Sequence, residues 1–388
     1  MLCINYSWGE LPRGVSREGF IGGWGCPIPV AARQINMTQR LTTAAPGLDI
    51  PACDDKPIWD VWLSMLWLPA VTVADELETF ESLAREPATA AELAKRHGFQ
   101  LRGADILLSL LTALKFCVSH LGRYQVTEPT RQYLLRGSPF YWGGVFVQQR
   151  ASNPMHAAIR GAVLKKDHEI FAQSSKEPAV EMWESGEMTL EAARGIAAFM
   201  HSHSLAAATG MALRVDVSGV KSLLDVGGGS GCFCITLAKQ NPQLRCAVMD
   251  LKPMCDVALD YIRAAGVGDR VGVQAVNMFQ QQWPTGYDAM LFSNIFHDWG
   301  PETNAKLAAN AFAALPRGGR IFLHEMLLDD TGDGPLTTAA FSTLMLANTR
   351  GRQFTFAQLK AALEDAGFTD VDAVPTYSYY SVVSGTKR

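Results

Sequence analysis

The sequence of 388 residues lacks the signals of a membrane-bound, secreted or nucleic-acid-binding protein. Lys and Arg number 34 against 38 Asp and Glu, for a formal net charge of −4, so there is no basic excess for a phosphate backbone. No apolar run approaches the roughly 18 residues of a transmembrane helix. The first 45 residues contain no basic segment followed by an apolar stretch. We therefore expect a cytoplasmic protein with neither a nucleic-acid nor a membrane partner.

The sequence also lacks the spacing of a metal or disulfide site. Its eight cysteines include no CxxC pair and are scattered through apolar runs such as Gly231–Cys234, so we interpret them as buried free thiols in a reducing compartment. His201 and His203 are two apart in a predicted helix and point to different faces, which makes a poor chelate. No metal site is predicted.

The composition predicts a folded chain with a large core. Apolar residues make up 48% and charged residues 19%, and the length fits two domains. Residues 1–45 are punctuated by Gly and Pro and are interpreted as an N-terminal tail, whose order the sequence leaves undecided. Residues 46–210 carry helical signals, whereas in residues 211–388 strands alternate with helices.

The helical part resembles a winged-helix module. Thr89 begins a capping box that opens a helix ending at Gly98. A second apolar helix follows at Ala104–Leu114, and then a short strand at Arg123–Thr127. Because the second helix presents mostly Leu, Ile and Ala, we expect it to contact protein and not the major groove. Together with the apolar stretch Trp59–Trp67, it predicts a dimerisation domain, although both helices would also suit an internal core.

The C-terminal part predicts an α/β fold. Five apolar strands alternate with helices, which is typical of a mostly parallel, Rossmann-like sheet covered on both faces. These predicted strands are Ser222–Val226, Arg245–Met249, Val271–Ala275, Ala289–Ser293 and Arg320–His324. A helix at Phe356–Ala366 and a strand at Tyr377–Val383 complete the domain.

A glycine-rich turn after the first of these strands predicts a nucleoside site. Gly227 and Gly229 lie in the run from Leu224 to Gly231, where the chain must turn sharply and a ligand approaches the backbone. Asp225 is placed to order this loop or to reach an amino group of the ligand. Asp250 ends the next strand, about 20 residues on, where it can accept both ribose hydroxyls. Dinucleotide dehydrogenases share this pattern, so it does not identify the nucleoside.

Later motifs identify the chain as similar to the small-molecule methyltransferases of the caffeic-acid and acetylserotonin O-methyltransferase type. The resemblance runs from about Trp59 to the C-terminus and rests on the order and spacing of five motifs. These are the loop at 225–231, Met249–Leu251, His297–Trp299, the turn at Pro316–Arg320, and His324–Met326. It implies a class I methyltransferase domain, S-adenosylmethionine (SAM) as cofactor, a small-molecule substrate, and a homodimer formed by the N-terminal domain.

The resemblance assigns the cofactor residues one by one. They are Ser204, Gly227 and Gly229 at the methionine part, Asp250 at the ribose, and Leu251, Asn277, Met278 and Trp299 around the adenine. The family usually carries Asp at position 277 and Lys at position 293. This chain has Asn277 and Ser293 instead, which leaves these two polar contacts in doubt.

The chemistry requires a base if the acceptor is a hydroxyl, and His is the usual choice. By resemblance the base is His297, and Glu325 after the fifth strand is placed to hold its imidazole. The family commonly adds a second Glu, but this chain has Gln353 there, which predicts a weaker base. Acceptor-pocket residues implied by the family are Met200, His203, Asp298 and Asn348.

Three acceptors remain open at this point. A hydroxyl is favoured by the resemblance, whereas a thioether sulfur, as in methylthiohydroxybutyrate S-methyltransferases, needs no base and would tolerate Gln353. The carbon of an α-keto acid is the third. A catalytically inactive winged-helix regulator and a dehydrogenase are competing interpretations; the intact loop with His297 disfavours the first, and the missing nicotinamide-binding half disfavours the second.

Overall fold

The computed structural model describes residues 44–164 and 179–388. The predicted tail at 1–45 lies outside these residues except for its last two positions. The predicted boundary at 210/211 falls within one long helix, Leu190–Arg214, so the division of the chain there stays a prediction.

The N-terminal part is helical, as predicted, with one two-stranded hairpin. Its elements are α1 (Lys56–Leu63), a 3-10 turn (Ser64–Leu66), α2 (Trp67–Glu76), α3 (Thr79–Arg85), α4 (Ala90–His97), α5 (Leu101–Ala113), β1 (Cys117–His120), β2 (Arg123–Val126), α6 (Glu128–Tyr133), α7 (Gly143–Arg150), α8 (Pro154–Val163), α9 (Ala179–Ser185) and α10 (Leu190–Arg214).

The predicted capping box forms at the start of α4. The Glu92 backbone N–H donates to Thr89 Oγ1 at 3.2 Å, and the Thr89 N–H donates to Glu92 Oε2 at 2.8 Å. The helix ends at Gly98, whose φ of 70° is the left-handed conformation that terminates helices. The antiparallel β1–β2 hairpin follows α5, so the predicted order of helix, helix and strand is present.

One helical segment is longer and more apolar than the sequence analysis, which predicted no transmembrane helix, led us to expect. Lys56–Glu76, which runs from the start of α1 to the end of α2, is long and apolar enough to cross a bilayer by length and composition alone, and half of its most apolar window is buried. A core helix of a globular protein passes the same test. Here Leu63, Leu66 and Val73 are fully buried in the N-terminal core, so packing explains the apolar character of the buried half, whereas Ile58 and Val61 are exposed.

The C-terminal part contains a seven-stranded sheet in the order β5-β4-β3-β6-β7-β9-β8. The strands are β3 (Ser222–Val226), β4 (Arg245–Asp250), β5 (Val271–Ala275), β6 (Ala289–Ser293), β7 (Arg320–Met326), β8 (Thr369–Tyr377) and β9 (Tyr380–Thr386). The first five in the sheet pair in parallel, and β9 is antiparallel to β7 and β8. The predicted α/β fold with a mostly parallel sheet is confirmed.

Helices cover both faces of this sheet, as predicted. They are α11 (Cys232–Gln240), α12 (Lys252–Ala264), α13 (Pro301–Ala314), α14 (Leu336–Asn348) and α15 (Phe356–Asp365). Neighbouring residues of β3 face opposite sides, as the strand period requires. Leu223 packs with Phe233 of α11, whereas Leu224 packs with Leu363 of α15. The carboxyl ends of β3, β4, β5 and β6 therefore meet at one edge between two cores, where α/β proteins bind ligands.

Candidate active site

A cavity of about 570 Å³ lies at this edge, within the size range of small-molecule sites. Every predicted cofactor residue lines it, as do His297 and the four predicted acceptor-pocket residues. Glu325 and Gln353 do not line the cavity and are buried behind His297. The topology thus brings together residues from both halves of the chain.

The glycine loop forms a tight turn in which Gly227 and Gly228 have no room for a side chain. Gly227 has a φ of 70°, and a Cβ there would lie 2.5 Å from Ile295 Cδ1. A Cβ at Gly228 would lie 2.7 Å from the carboxylate of Asp225. Asp225 is fully buried, and its Oδ1 has no hydrogen-bond partner. Burial raises its pKa to about 7, so the loop presents an acidic group that a cationic ligand would satisfy.

Asp250 both supports the loop and faces the cavity. Its Oδ2 accepts from the Gly229 N–H at 3.0 Å, and its Oδ1 accepts from the Leu251 N–H at 2.7 Å. Burial raises its pKa to about 6, although these two bonds oppose the shift. Each carboxylate oxygen retains a lone pair, so contact with ribose hydroxyls remains open to it.

Asn277 is more constrained than the sequence indicated. Its Nδ2 donates to the backbone oxygens of Trp183 at 3.2 Å and Glu184 at 3.3 Å, which ties the end of α9 to the loop after β5. Its Oδ1 accepts from the Phe279 N–H at 2.9 Å. Only the second lone pair of Oδ1 remains for the predicted contact with an adenine amino group. Trp299 is buried, with its ring 4.6 Å from that of Phe279.

His297 is held by two side chains at the same nitrogen. Nδ1 lies 2.8 Å from Glu325 Oε2 and 3.1 Å from the Gln353 amide. Because a carboxylate can only accept, Nδ1 carries the hydrogen, and the amide is satisfied only when its oxygen faces the ring. The lone pair of His297 is then on Nε2, which lies 3.6 Å from Asp298 Oδ1.

The electrostatics around His297 favour its protonated form. Burial lowers the pKa of the imidazole, but Glu325 and Asp298 raise it, and the net shift is upward from 6.5. Asp298 itself has a pKa raised to about 6, first by burial. A base whose charged form is stabilised by a fixed carboxylate is suited to removing a proton during a reaction.

The acceptor side of the cavity is walled by aromatic rings that the sequence did not single out. Trp62, Phe199 and Phe341 line it together with the predicted Met200 and His203. The Phe341 ring lies 5.3 Å from that of His297, and the Phe199 ring 5.3 Å from that of His203. Burial, with help from His297, lowers the pKa of His203 to about 4, so His203 is neutral.

The geometry of the histidine pair agrees with the predicted divergence of their side chains. His201 Nδ1 contacts Ser230 Oγ at 2.9 Å, and its ring stacks on Tyr261, whereas His203 faces the cavity. Within residues 44–164 and 179–388, no group of three or more His, Cys, Asp or Glu side chains is arranged to hold a metal ion.

Comparison with known proteins places this site in a family. Residues 159–369 match the sequence profile of the O-methyltransferase domain. The chain belongs to the O-methyltransferase family. It is 37% identical to 3-hydroxy-5-methyl-1-naphthoate 3-O-methyltransferase of Streptomyces sahachiroi, over 83% of this chain and 92% of that protein. It is 30% identical to acetylserotonin O-methyltransferase of Bos taurus, over 81% and 92%.

A solved structure shares the fold of this O-methyltransferase family member. It is an O-methyltransferase family 2 protein from Planctomyces limnophilus in complex with apigenin, with a TM-score of 0.78 at 24% identity, covering 89% of this chain and all of that one. The chain is therefore a SAM-dependent methyltransferase acting on a small molecule, as predicted. The cavity fits this cofactor, because its glycine cradle and buried carboxylates suit a nucleoside with a cationic amino-acid tail. The roles of individual residues toward the cofactor stay predictions.

Proposed function

We propose that this protein transfers the methyl group of SAM to a hydroxyl of a flat aromatic small molecule, with His297 as the general base. The observation that carries the proposal is the His297–Glu325 contact of 2.8 Å at a cavity wall formed by Trp62, Phe199 and Phe341. A base and an aromatic surface at one place are what a phenolic acceptor requires.

Each part of the site has a separate role in the proposed methyl transfer. When bound, SAM supplies a methyl group on a sulfonium, which is a good leaving group. Nε2 of His297 takes the hydroxyl proton while the acceptor oxygen forms its bond to the methyl carbon and the carbon–sulfur bond breaks, leaving a neutral thioether. Glu325 stabilises the imidazolium that results. The aromatic wall aligns the acceptor for in-line attack.

Charge in the cavity supports this acceptor over the other two. A thioether hydroxy acid and an α-keto acid both carry a carboxylate at neutral pH. Among the described residues that line the cavity there is no Lys or Arg, and Asp298 adds negative charge. An unpaired buried carboxylate is costly, so a neutral aromatic compound fits better.

The test is mass spectrometry of products formed from labelled SAM and a panel of phenols, thioether hydroxy acids and α-keto acids. We expect label on a phenolic oxygen. His297→Ala should lose about 100-fold or more of this turnover, the usual range for a general base, while still binding S-adenosylhomocysteine. Label on sulfur or carbon, or full turnover by His297→Ala, would contradict the proposal.

We further propose that the protein is a cytoplasmic homodimer, joined through its N-terminal part as a winged-helix-like module. The β1–β2 hairpin after α4 and α5 supports the winged-helix interpretation. Ile58 and Val61 on α1 are 72% and 75% exposed, and exposed apolar side chains that cluster indicate an interface. Light scattering should give twice the mass of one chain, and a Val61→Asp variant should shift it toward the monomer. A monomeric wild type would refute the dimer.

A further inference from the structure

His324 is a buried polar side chain with no part in the mechanism above. It lies on β7 with no exposed surface. Its ring stacks on Tyr380 with a centroid distance of 4.6 Å and an interplanar angle of 8°, and it meets the edge of Phe233 at 4.9 Å. The ring is therefore held in one orientation, and its two nitrogens have fixed neighbours.

Those neighbours are hydroxyl groups. His324 Nδ1 lies 3.0 Å from Ser293 Oγ, and Nε2 lies 3.4 Å from Thr376 Oγ1. Burial lowers the pKa of His324 to about 3, so the ring is neutral and has one N–H and one lone pair. Which nitrogen carries the hydrogen decides what Ser293 can offer to a ligand.

The hydrogen bond of Thr376 decides the tautomer. Thr376 Oγ1 donates its only hydrogen to the backbone oxygen of Tyr380 at 3.1 Å, because a carbonyl can only accept. Thr376 must then accept from Nε2–H of His324. Nδ1 is left with the lone pair, so the Ser293 hydroxyl donates to it. Ser293, which lines the cavity, thus presents only oxygen lone pairs to a ligand.

The sheet order shows which part of the cofactor meets Ser293. This residue ends β6, which pairs with β3, the strand that leads into the glycine loop. Asn277 follows β5, three strands away in the order β5-β4-β3-β6, or about 14 Å at the usual strand spacing. Asp250 at the end of β4 lies between them. Ser293 is therefore at the end of the cavity opposite the predicted adenine site, where the amino-acid part of SAM would lie.

We propose that His324 and Thr376 are positioning residues that fix Ser293 as a hydrogen-bond acceptor for the α-ammonium group of SAM. The ammonium is the donor in the amino-acid part, whereas its carboxylate could not pair with lone pairs. The proposal rests on the cofactor and not on the acceptor, so a failure of the phenol proposal would leave it intact.

The test is calorimetric binding of S-adenosylhomocysteine and of its analogue that lacks the α-amino group. Ser293→Ala should weaken S-adenosylhomocysteine roughly tenfold or more, the scale of a hydrogen bond to a charged group, and leave the deaminated analogue unchanged. Thr376→Val should weaken the same ligand in the same selective way but less, because the ring is then free to reverse its tautomer. Thr112→Val is the matched control: Thr112 is a buried threonine of α5 that bonds only to its own helix, and it should bind both ligands like the wild type.

Binding of the deaminated analogue also reports whether each variant is folded. His324→Phe keeps the ring stack and should weaken S-adenosylhomocysteine selectively but less than Ser293→Ala does, because the Ser293 oxygen is no longer oriented but keeps its lone pairs. If Ser293→Ala weakens both ligands equally, Ser293 does not meet the ammonium. If Thr376→Val and His324→Phe bind S-adenosylhomocysteine as well as Thr112→Val does, the positioning roles are wrong. If Ser293→Ala weakens S-adenosylhomocysteine but leaves an analogue without the α-carboxylate unchanged, Ser293 donates to the carboxylate. That result would indicate the opposite tautomer of His324.

Discussion

His297 is held between one carboxylate and one amide. Glu325 Oε2 lies 2.8 Å from Nδ1, and the Gln353 amide lies 3.1 Å from the same atom. The carboxylate can stabilise an imidazolium, whereas a neutral amide can only orient the ring. The basicity of His297 should therefore respond in opposite directions to changes at these two positions.

Glu325→Gln should lower the pKa of His297 and the rate. In the wild type this pKa is raised above 6.5, and the base must be neutral, so kcat/KM should rise with pH and level off above that pKa. Removing the carboxylate should move the midpoint to lower pH and reduce kcat about 100-fold or more. A pH–rate profile measures both. An unchanged midpoint would show that Glu325 does not interact with the base.

Gln353→Glu should have the opposite effect on the midpoint. A second carboxylate beside Nδ1 should raise the pKa of His297 further, so activity at pH 6 falls while activity at high pH is kept. The free energy of unfolding should also change with pH. A raised folded-state pKa of His297 stabilises the fold below a pH of about 6.5, and this contribution is lost as the pH rises through the folded-state pKa. Thermal melts from pH 5 to 9 measure this change in stability. A Gln353→Glu variant whose pH–rate midpoint shifts to lower pH would contradict the prediction.

At the scale of elements, the parallel strands were predicted nearly to the residue because buried strands form short apolar runs between turns. The C-terminal hairpin was not. One strand at Tyr377–Val383 was expected, but Thr369–Tyr377 and Tyr380–Thr386 are two strands. Their turn places Ser378 at a φ of 56° without the Gly or Asn that normally signals such a turn.

The site was predictable where its residues lie in one local motif. The glycine loop and His297 each follow a strand end, so their position at the sheet edge follows from the sequence. Trp62 and Phe341 reach the cavity by tertiary packing, and their spacing within helices indicates only a buried face. His324 likewise looked like part of a strand, because nothing local reveals that hydroxyls from two other strands meet its ring.

Gly351 is an element-scale constraint on the active site. The segment after α14 passes so close to the His297 loop that a Cβ at Gly351 would lie 2.0 Å from the His297 backbone oxygen. Arg102 of α5 fixes this segment by donating to the Gly351 oxygen at 2.7 Å. The N-terminal part therefore helps to place the loop that carries His297.

Gly351→Ala should displace the His297 loop and reduce kcat at least tenfold, because the clash is with backbone that cannot rotate away. Gly300→Ala is the matched control, since its Cβ would meet its nearest atom, the Arg350 oxygen, at an ordinary 3.7 Å. It should cost less than about 1 kcal/mol as a helix N-cap change. Steady-state kinetics with thermal melts separate the two. Equal kcat in both variants would show that the segment can shift without disturbing the base.

At the scale of the whole molecule, the proposed neutral acceptor rests on the charge of the cavity. The protein carries a formal net charge of −4, and the described part of the cavity lining includes Asp225, Asp250 and Asp298 but no Lys or Arg. The similar Streptomyces sahachiroi enzyme is named for a naphthoate acceptor. A carboxamide with the same ring system differs from a naphthoate mainly in charge, so a comparison of the two compounds tests the proposed neutral acceptor.

We expect a hydroxynaphthalene carboxamide to be methylated with kcat/KM at least about tenfold higher than the corresponding hydroxynaphthoate. The ring and hydroxyl are the same, but the free acid must bury a carboxylate near Asp298 without a partner. Asp298→Asn should narrow the difference by improving the acid more than the amide. Mass spectrometry with both compounds and both proteins gives the four rates. A wild-type preference for the acid would contradict the proposed neutral acceptor.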